Sequence, residues 1–375
     1  MFNRKERLQI SKKLGKNRNN SQRHINWRFL HKKEKQEKQN KTIKQLEELE
    51  QQQQQLFNSN NKKLNQKTWY SLNVALPGSI LNNIQTKELM TYIIGQLARS
   101  LAIFCVDEVI IFDETAKLKQ IQINNYKEGN WKGNEPINFN NCECNFYMAK
   151  IFEYLECPQY LRKNFFPIHN SLQFAGLLNP LDSIHHLRAT DISLPYREGI
   201  VLEKSSKKGQ KCFVGLEKDV ILINNNNEYI KPNTRVTLKL KELEGSKKIK
   251  GYLTNAKEIR KEEGIYWGYS VRIAKCLSEV INSSSYDFII GTSERGTPIN
   301  QINIPIKEEC KILIVFGGLN GLEFAIESDP NINLINPTDY FKNYINCLPD
   351  QGSRIIRTEE AIPICLTALK YKLNI

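Results

Sequence analysis

Two glycine-bearing segments near the C-terminal end carry the strongest chemical signal in this sequence. The apolar run at residues 312–316 opens directly into Gly317-Gly318-Leu319-Asn320-Gly321, and a second glycine-bearing segment begins at Gly352. Glycine lets the backbone approach a ligand closely, because no Cβ is in the way. In open α/β sheets, ligands bind outside the carboxyl ends of the strands. The two segments therefore predict one small-molecule pocket.

The spacing of these glycines argues against the common nucleotide sites. A dinucleotide fold uses G-x-G-x-x-G with an acidic residue about twenty positions later, whereas this chain has G-G-x-x-G without that residue. Only 54 residues follow Gly321, too few for the remaining units of a doubly wound domain. These segments also lack the G-K-[ST] of a phosphate-binding P-loop.

Three segments together resemble the cofactor-binding loops of the SPOUT (α/β-knot) RNA methyltransferases. They are residues 292–296 (TSERG), residues 316–318 (FGG) and residues 352–361 (GSRIIRTEEA). The third is similar to the G-x-R-I-L-R-T-E-T-A block of the bacterial ribosomal-RNA uridine-N3 methyltransferases. Over residues 73–369 the chain is most similar to the eukaryotic and archaeal SPOUT family in which a small β-barrel interrupts the knotted domain. The bacterial second loop is of the G-P-E-G-G type, so residues 317–321 depart from it and leave the methylated atom open.

The resemblance implies S-adenosyl-L-methionine as the cofactor, and it implies which residues bind it. The cofactor-binding candidates are Gly291, Thr292, Gly317, Gly318, Gly352, Ile356 and Thr358. Arg295, Arg357 and Asn346 are the catalytic candidates. The two arginines would stabilise negative charge on the base carbonyls as N3 loses its proton, and Asn346 would hydrogen-bond the base edge. An alternative for Arg357 is a salt bridge to Glu359 or Glu360 that caps the last helix.

The implied function is S-adenosylmethionine-dependent methylation of an RNA base nitrogen, with uridine N3 of ribosomal RNA favoured. The alternative is a catalytically inactive RNA-binding, assembly or scaffold protein that keeps a cofactor pocket. The resemblance also implies a homodimer and a trefoil knot, and knots cannot be predicted from composition or periodicity. A covalent role for Cys347 would need a neighbouring base or helix N-terminus, and the sequence shows neither.

Charge is concentrated in the first 67 residues. They hold 18 Lys/Arg and 6 Glu, a net +12 of the +14 of the whole chain. This segment is rich in Asn and Gln, which predicts disorder because it cannot bury enough apolar surface. It is expected to bind phosphate backbones or to serve as a nuclear-import signal, the alternative being a solvated linker.

The predicted fold is an α/β SPOUT-type domain with an inserted OB-like barrel. The boundaries are a basic tail at 1–67, the first part of the methyltransferase domain at 68–195, the barrel at 196–261 and the second part at 262–375. Apolar periodicity predicts helices at 86–105, 144–155, 272–281 and 359–371, with Leu89 and Leu97 on the buried face of the first. Apolar runs predict strands at 72–76, 109–112, 286–291, 311–316 and 332–336. The polar residues 117–141 are predicted to be a surface loop.

Five short strands within the barrel segment suit a fold that binds single-stranded nucleic acid. The RNA-binding candidates are Lys204, Lys207, Lys208 and Lys211 in the barrel and His185, His186 and Arg188 before it. The histidine pair has no carboxylate or cysteine at ligand spacing, so no metal is predicted. The alternative for this pair is a satisfied polar loop. No long apolar segment predicts a membrane span, the nine cysteines are expected to be free thiols, and the expected location is nuclear or nucleolar, with the cytoplasm as the alternative.

Overall fold

Parallel strands alternate with helices on both sides of an inserted barrel. The structure is a computed structural model, and it describes residues 70–137, 142–191, 194–206, 209–223, 229–242, 249–302, 309–334 and 336–373. The predicted basic tail lies outside these residues. Residues Thr68–Ile375 form one compact unit.

The described strands run in chain order from β1 to β11. They are β1 (Tyr70–Pro77), β2 (Glu108–Phe112), β3 (Tyr196–Ser206), β4 (Gly209–Phe213), β5 (Val220–Ile223), β6 (Arg235–Glu242), β7 (Ile249–Thr254), β8 (Ser270–Ala274), β9 (Phe288–Pro298), β10 (Cys310–Val315) and β11 (Asn343–Asn346).

The described α-helices are numbered in the same way. They are α1 (Lys87–Ile103), α2 (Gln120–Lys127), α3 (Glu143–Glu156), α4 (Gln159–Phe165), α5 (Ala256–Glu263), α6 (Leu277–Asn282), α7 (Gly321–Ser328), α8 (Pro337–Tyr340) and α9 (Thr358–Leu373). Short 3₁₀ turns lie at Gly78–Asn83, Asn170–Leu172, Ala175–Leu177 and Ile299–Gln301. None of the described helices is long and apolar enough to cross a membrane.

A six-stranded parallel sheet forms the α/β core, in the order β11-β9-β10-β1-β2-β8. Helices α1, α3 and α9 pack on one face through a cluster that includes Leu97, Phe152 and Leu366. Helices α6 and α7 cover the other face through Leu277 and Leu322. Both faces are buried, which explains why the strands read as continuous apolar runs.

The predicted helices at 86–105, 144–155 and 359–371 are confirmed, with ends that shift by one or two residues. The buried face of α1 differs from the prediction, because Met90 and Ile94 point to the core while Leu89 is 53% exposed. The Thr86 side chain accepts a hydrogen bond from the Leu89 N–H. Leu89 thus belongs to the capped first turn of the helix, where its side chain faces solvent.

Three other predicted elements are wrong in whole or in part, the helix at 272–281 being correct only from Leu277 onwards. The predicted loop at 117–141 contains α2, whose Ile123 and Tyr126 are buried. The first part of the predicted helix at 272–281 is β8, an edge strand in which Arg272 donates to Glu108 of β2 at 2.9 Å. The strand predicted at 332–336 does not appear among the described residues there, and Leu334 is 45% exposed, so it has no core to line.

The barrel is confirmed as a closed five-stranded structure in the order β3-β4-β5-β7-β6. All neighbouring strands are antiparallel except β5 and β7, which are parallel. Val201, Cys212, Val220 and Leu238 fill its interior. Its strands lie within the predicted segment 196–261, and the domain boundaries themselves stay a prediction.

A buried ion-pair network joins the barrel to the α/β core. Arg235 at the start of β6 lies 2.6 Å from the carboxylate of Glu156, at the end of α3, and 2.7 Å from that of Glu198 in β3. Glu198 also accepts from Trp267 Nε1 at 2.7 Å, and the His185 ring lies 2.9 Å from the Glu156 carbonyl oxygen. One guanidinium thus connects two carboxylates from different parts of the chain.

Arg235 supplies positive charge that stabilises the ionised Glu156 carboxylate at this joint. Burial alone would raise the pKa of Glu156, but the positive charge of Arg235 and the contacts with His185 together outweigh burial and lower that pKa to about 2. A Glu with a lowered pKa contributes stability above its unfolded value, and that stability is lost as the pH falls towards the folded value. The joint is therefore fully formed at neutral pH and weakens in acid.

We predict that Arg235→Met destabilises the protein by about 3 kcal/mol at neutral pH, because two buried carboxylates lose their cation. This figure is at the low end of the usual range, since the guanidinium keeps some contact with solvent. Between about pH 5 and pH 3 the variant should lose less stability than the parent, since Glu156 no longer has a stabilised charge. Urea unfolding followed by tryptophan fluorescence measures both effects.

The control is Lys261→Met, which breaks the exposed pair with Glu309 and should change stability little. Equal stabilities of Arg235→Met and parent would show that the joint is not held by charge.

Candidate functional site

Three chain segments meet at one edge of the sheet, within β9 and at the carboxyl ends of β10 and β11, which are neighbours in the sheet. They enclose a cavity of about 410 Å³. Its walls are formed by residues 292–295, residues 316–321 with Glu323, residues 345–348 with Gln351, and Ile355, Ile356, Thr358, Ala361, Ile364 and Cys365. This is the pocket that the glycine segments predict.

The first segment is a loop that bulges out of β9. Gly291 pairs with Tyr344 and Thr297 pairs with Ile345, the next residue of β11, so residues 292–296 have no counterpart in that strand. A Cβ on Gly296 would lie 2.5 Å from the backbone of Ile345, so the loop closes only with glycine there. The bulge pushes the side chains of residues 292–295 over the end of the sheet.

The second segment is a tight turn between β10 and α7. A Cβ on Gly317 would lie 2.7 Å from the Gly321 carbonyl carbon, and Gly321 has a φ of +74°. The Thr358 hydroxyl donates to the Gly317 carbonyl at 2.9 Å and so ties the start of α9 to this turn. The missing Cβ of Gly318 faces away from the cavity, towards the buried Glu114 carboxyl, whose pKa is raised by burial.

Most of the predicted cofactor residues line the cavity. Thr292, Gly317, Gly318, Ile356 and Thr358 do so. Gly291 does not, because it faces the Phe341 ring, only 2.7 Å from the position of an added Cβ. Gly352 is outside the lining as well, and an added Cβ there would meet nothing within 4 Å. The predicted contact of these two glycines with the cofactor stays a prediction.

The three catalytic candidates differ in their position relative to the cavity. Arg295 lines the cavity and lies 3.7 Å from Glu323. Arg357 does not line the cavity, and its side chain is 75% exposed. It lies 3.8 Å from Glu359, as expected for the alternative in which this salt bridge caps the last helix. Asn346 lines the cavity, but its amide donates to the Glu294 carbonyl and accepts from the Leu348 N–H. These contacts give Asn346 a role in holding the loops.

Two carboxylates of the site were missed by the sequence reasoning. Glu294 and Glu323 both line the cavity. Their signal was available, since Glu294 lies inside the TSERG motif and Glu323 lies in the first turn after the glycine segment. Neither residue is a cation, so neither was among the candidates for stabilising negative charge on the base.

Cys347 has a buried neighbour that argues against a nucleophilic role. The hydrogen bond with Cys347, together with burial, raises the pKa of the Cys365 thiol. Both cysteines line the cavity, and neither is more than 8% exposed. A Cys365 thiol with a raised pKa is not the neighbouring base that a nucleophilic Cys347 would need.

The predicted RNA-binding residues fall into two groups. Lys207, Lys208 and the side chain of Lys204 lie outside the described residues, while Lys211 is on β4 and lies 3.8 Å from Asp219. His185 has no exposed surface and belongs to the joint, so its predicted RNA contact is wrong in this structure.

The other two residues of that segment lie beside the joint. Burial lowers the pKa of His186 to about 4, so its half-buried ring offers no charge to a phosphate at neutral pH. Arg188 is exposed, and its backbone N–H donates to Asp191. The two histidines thus match the satisfied polar loop that was the alternative, and RNA contact by Arg188 stays a prediction.

The composition of the cavity suits a nucleoside that carries a positive charge. The described residues that line it include two glutamates, one arginine and no lysine, a poor set for a diphosphate or triphosphate. Leu319, Leu348, Ile355, Ile356 and Ile364 supply apolar walls, and the glycine turn supplies backbone polar groups. S-adenosylmethionine, a sulfonium nucleoside, fits these features. No group of three or more metal-ligating side chains occurs among the described residues.

Comparison with known proteins gives consistent matches. A family model described as "Putative RNA methyltransferase" matches residues 71–369. The "28S rRNA (uridine-N(3))-methyltransferase" of Mus musculus is 44% identical over 82% of this chain and 78% of its own length. The protein of the same name from Homo sapiens is 45% identical over 80% of this chain and 78% of its own length. The protein of the same name from Drosophila melanogaster is 43% identical over 81% of this chain and 62% of its own length.

We predict that Gly317→Ala weakens binding of S-adenosylhomocysteine by about tenfold or more, equivalent to about 1.4 kcal/mol. The added methyl group meets the backbone of Gly321 and Leu322, which cannot move without opening the turn. Gly352→Ala is the matched control, since its methyl group enters open space and the affinity should stay within about twofold. Isothermal titration calorimetry measures both, and equal affinities would show that the turn does not shape the pocket.

Proposed function

The chain belongs to the SPOUT-type RNA methyltransferase family, and from that premise we propose that it methylates N3 of a uridine in large-subunit ribosomal RNA. It is an RNA methyltransferase that uses S-adenosylmethionine. The proposal for the base and the RNA is supported by relatives that carry this activity in their names, at 43–45% identity over about four fifths of the chain.

The observation that carries the proposal is the cavity within β9 and at the carboxyl ends of β10 and β11. It is built from the three segments that resemble the cofactor loops, and its charges suit a sulfonium and not a phosphate. S-adenosylmethionine supplies an electrophilic methyl group when bound. Thr292, Gly317, Gly318, Ile356 and Thr358 are placed to hold the cofactor, while Asn346 keeps the loops together.

Arg295 is the residue that we propose to stabilise the reacting base. Its side chain lines the cavity and is largely exposed, so a substrate can reach it. A guanidinium beside the base carbonyls would stabilise the negative charge that appears when N3 loses its proton. Arg357, paired with Glu359, is left with a structural role.

We expect large-subunit rRNA from cells lacking this protein to lose one N3-methyluridine. The purified protein with S-adenosylmethionine should restore it in vitro. Nucleoside mass spectrometry measures both effects. Unchanged N3-methyluridine in the cells, or a purified protein that binds S-adenosylhomocysteine yet transfers no methyl group, would contradict the proposal and favour an assembly or scaffold role.

We further propose that the protein is a homodimer. The resemblance to SPOUT enzymes supports this, as do the apolar side chains of Leu319, Leu348 and Ile355, which line the cavity and are 63%, 40% and 61% exposed. Light scattering should give twice the chain mass of 43.6 kDa, and a mass equal to one chain would contradict a dimer. The trefoil knot and a nucleolar location also remain proposals; imaging of a tagged protein tests the second.

A further inference from the structure

A second cavity lies next to the cofactor cavity. Its volume is about 700 Å³. The described residues that line it come from α7, the segment that follows it, α8 and β11: Glu323, Ile326, Glu327, Ile332, Asn333, Leu334, Asn336, Pro337, Thr338 and Tyr344, together with Arg295 of the bulged loop. None of the sequence-based site predictions, apart from Arg295, falls in this cavity.

Two residues line both cavities, Arg295 and Glu323. Their side chains face each other with 3.7 Å between Arg295 Nη1 and Glu323 Oε1. A group transferred between ligands in the two cavities must pass where the cavities meet. The Arg295–Glu323 pair marks that position.

The Glu323 side chain is held in a defined position. It lies in the first turn of α7, and the Tyr344 hydroxyl donates to its Oε1 at 3.2 Å. Its Oε2 folds back over Gly321, so close that an added Cβ would lie only 2.3 Å away. Burial raises the pKa of Tyr344 to about 12, so this hydroxyl stays a donor. The glycine turn itself, residues 317–321, contains no carboxylate.

The second cavity suits a neutral, planar, polar group. Asn333, Asn336 and Thr338 offer hydrogen-bond donors and acceptors, and Ile326, Ile332 and Leu334 offer apolar surface. Its charged lining residues are Arg295, Glu323 and Glu327, which do not form a phosphate site. These features match an unstacked RNA base, read through its edges.

We infer that the second cavity receives the acceptor uracil and that Glu323 accepts the proton of its N3. This rests on the proposed function. The N3–H proton moves to the Glu323 carboxylate, and the N3 electron pair forms the new bond to the methyl carbon. The bond between that carbon and sulfur breaks, and its electrons stay on sulfur. Arg295, released from its pair with Glu323, stabilises the charge on the base carbonyl oxygens.

The test compares Glu323→Gln with Glu327→Gln. Glu327 is on the same helix one turn later and lines the second cavity but not the first. Glu323→Gln should bind S-adenosylhomocysteine within about threefold of the parent and transfer methyl groups about 10²-fold or more slowly in single turnovers. Glu327→Gln should slow the transfer far less, because Glu327 does not line the cofactor cavity. The RNA is large-subunit rRNA from cells lacking the protein.

The pH profile separates a proton acceptor from a residue that only positions Arg295. The single-turnover rate of the parent should fall in acid as the carboxylate is protonated, and this limb should vanish in Glu323→Gln. Arg295→Ala should be about 10²–10³-fold slower but keep the acid limb. The other ionisable groups that face Glu323 are Tyr344 and, along the cavity walls, Glu294 and Glu327, and Glu294→Gln should also keep the limb.

Each possible result supports or contradicts the inference. A parent that methylates uridine N3 together with a Glu323→Gln variant of equal rate would overturn the inference alone. Loss of S-adenosylhomocysteine binding in Glu323→Gln would overturn it too, because the carboxylate would then be a cofactor ligand. An acid limb retained in Glu323→Gln would assign Glu323 a positioning role. A parent that leaves uridine N3 unmodified would overturn the proposed function and this inference with it.

Discussion

The site depends on one constraint, the adjacency of three parallel strands. Because β9, β10 and β11 are neighbours and run in the same direction, the chain must leave each of them at the same edge of the sheet. The bulge at residues 292–296, the Gly317 turn and the end of β11 are therefore brought together by the backbone hydrogen bonds of the sheet. Side chains then refine a pocket whose place is already set, as the Thr358 bond to Gly317 does.

Much of this arrangement was predictable from the sequence. The apolar runs identify the buried strands, and glycine after a strand marks a close backbone approach. The five barrel strands follow from short alternating runs between turns. Prediction failed where tertiary contacts override local pattern: α2 forms in a polar segment because Ile123 and Tyr126 find a core, and β8 forms because Arg272 pairs across to Glu108.

The surroundings of individual residues could not be predicted. Gly291 and Gly352 have the right residue type in the right motifs, yet a Cβ added to Gly291 would meet the Phe341 ring, and one added to Gly352 would enter open space. His185 looked like a residue beside the RNA and is a buried part of the joint. The spacing of residues along the chain predicts which of them lie near one edge of the sheet. Tertiary packing determines which of these residues line the cavity. Glu323 could not be singled out from the sequence, because only the structure shows that its side chain lines two cavities.

The joint around Arg235 also restricts how such a protein can change over generations. Gly268 has a φ of +86°, and any side chain there would enter the space between Glu156 and His185. Replacing Arg235 alone leaves two buried carboxylates without their cation, and replacing Glu156 or Glu198 alone removes one of the two ion pairs of Arg235. Substitutions at these positions are therefore expected to occur together, with a small residue retained at position 268. In diverging lineages they should be inherited together even where the surrounding barrel has become unrecognisable.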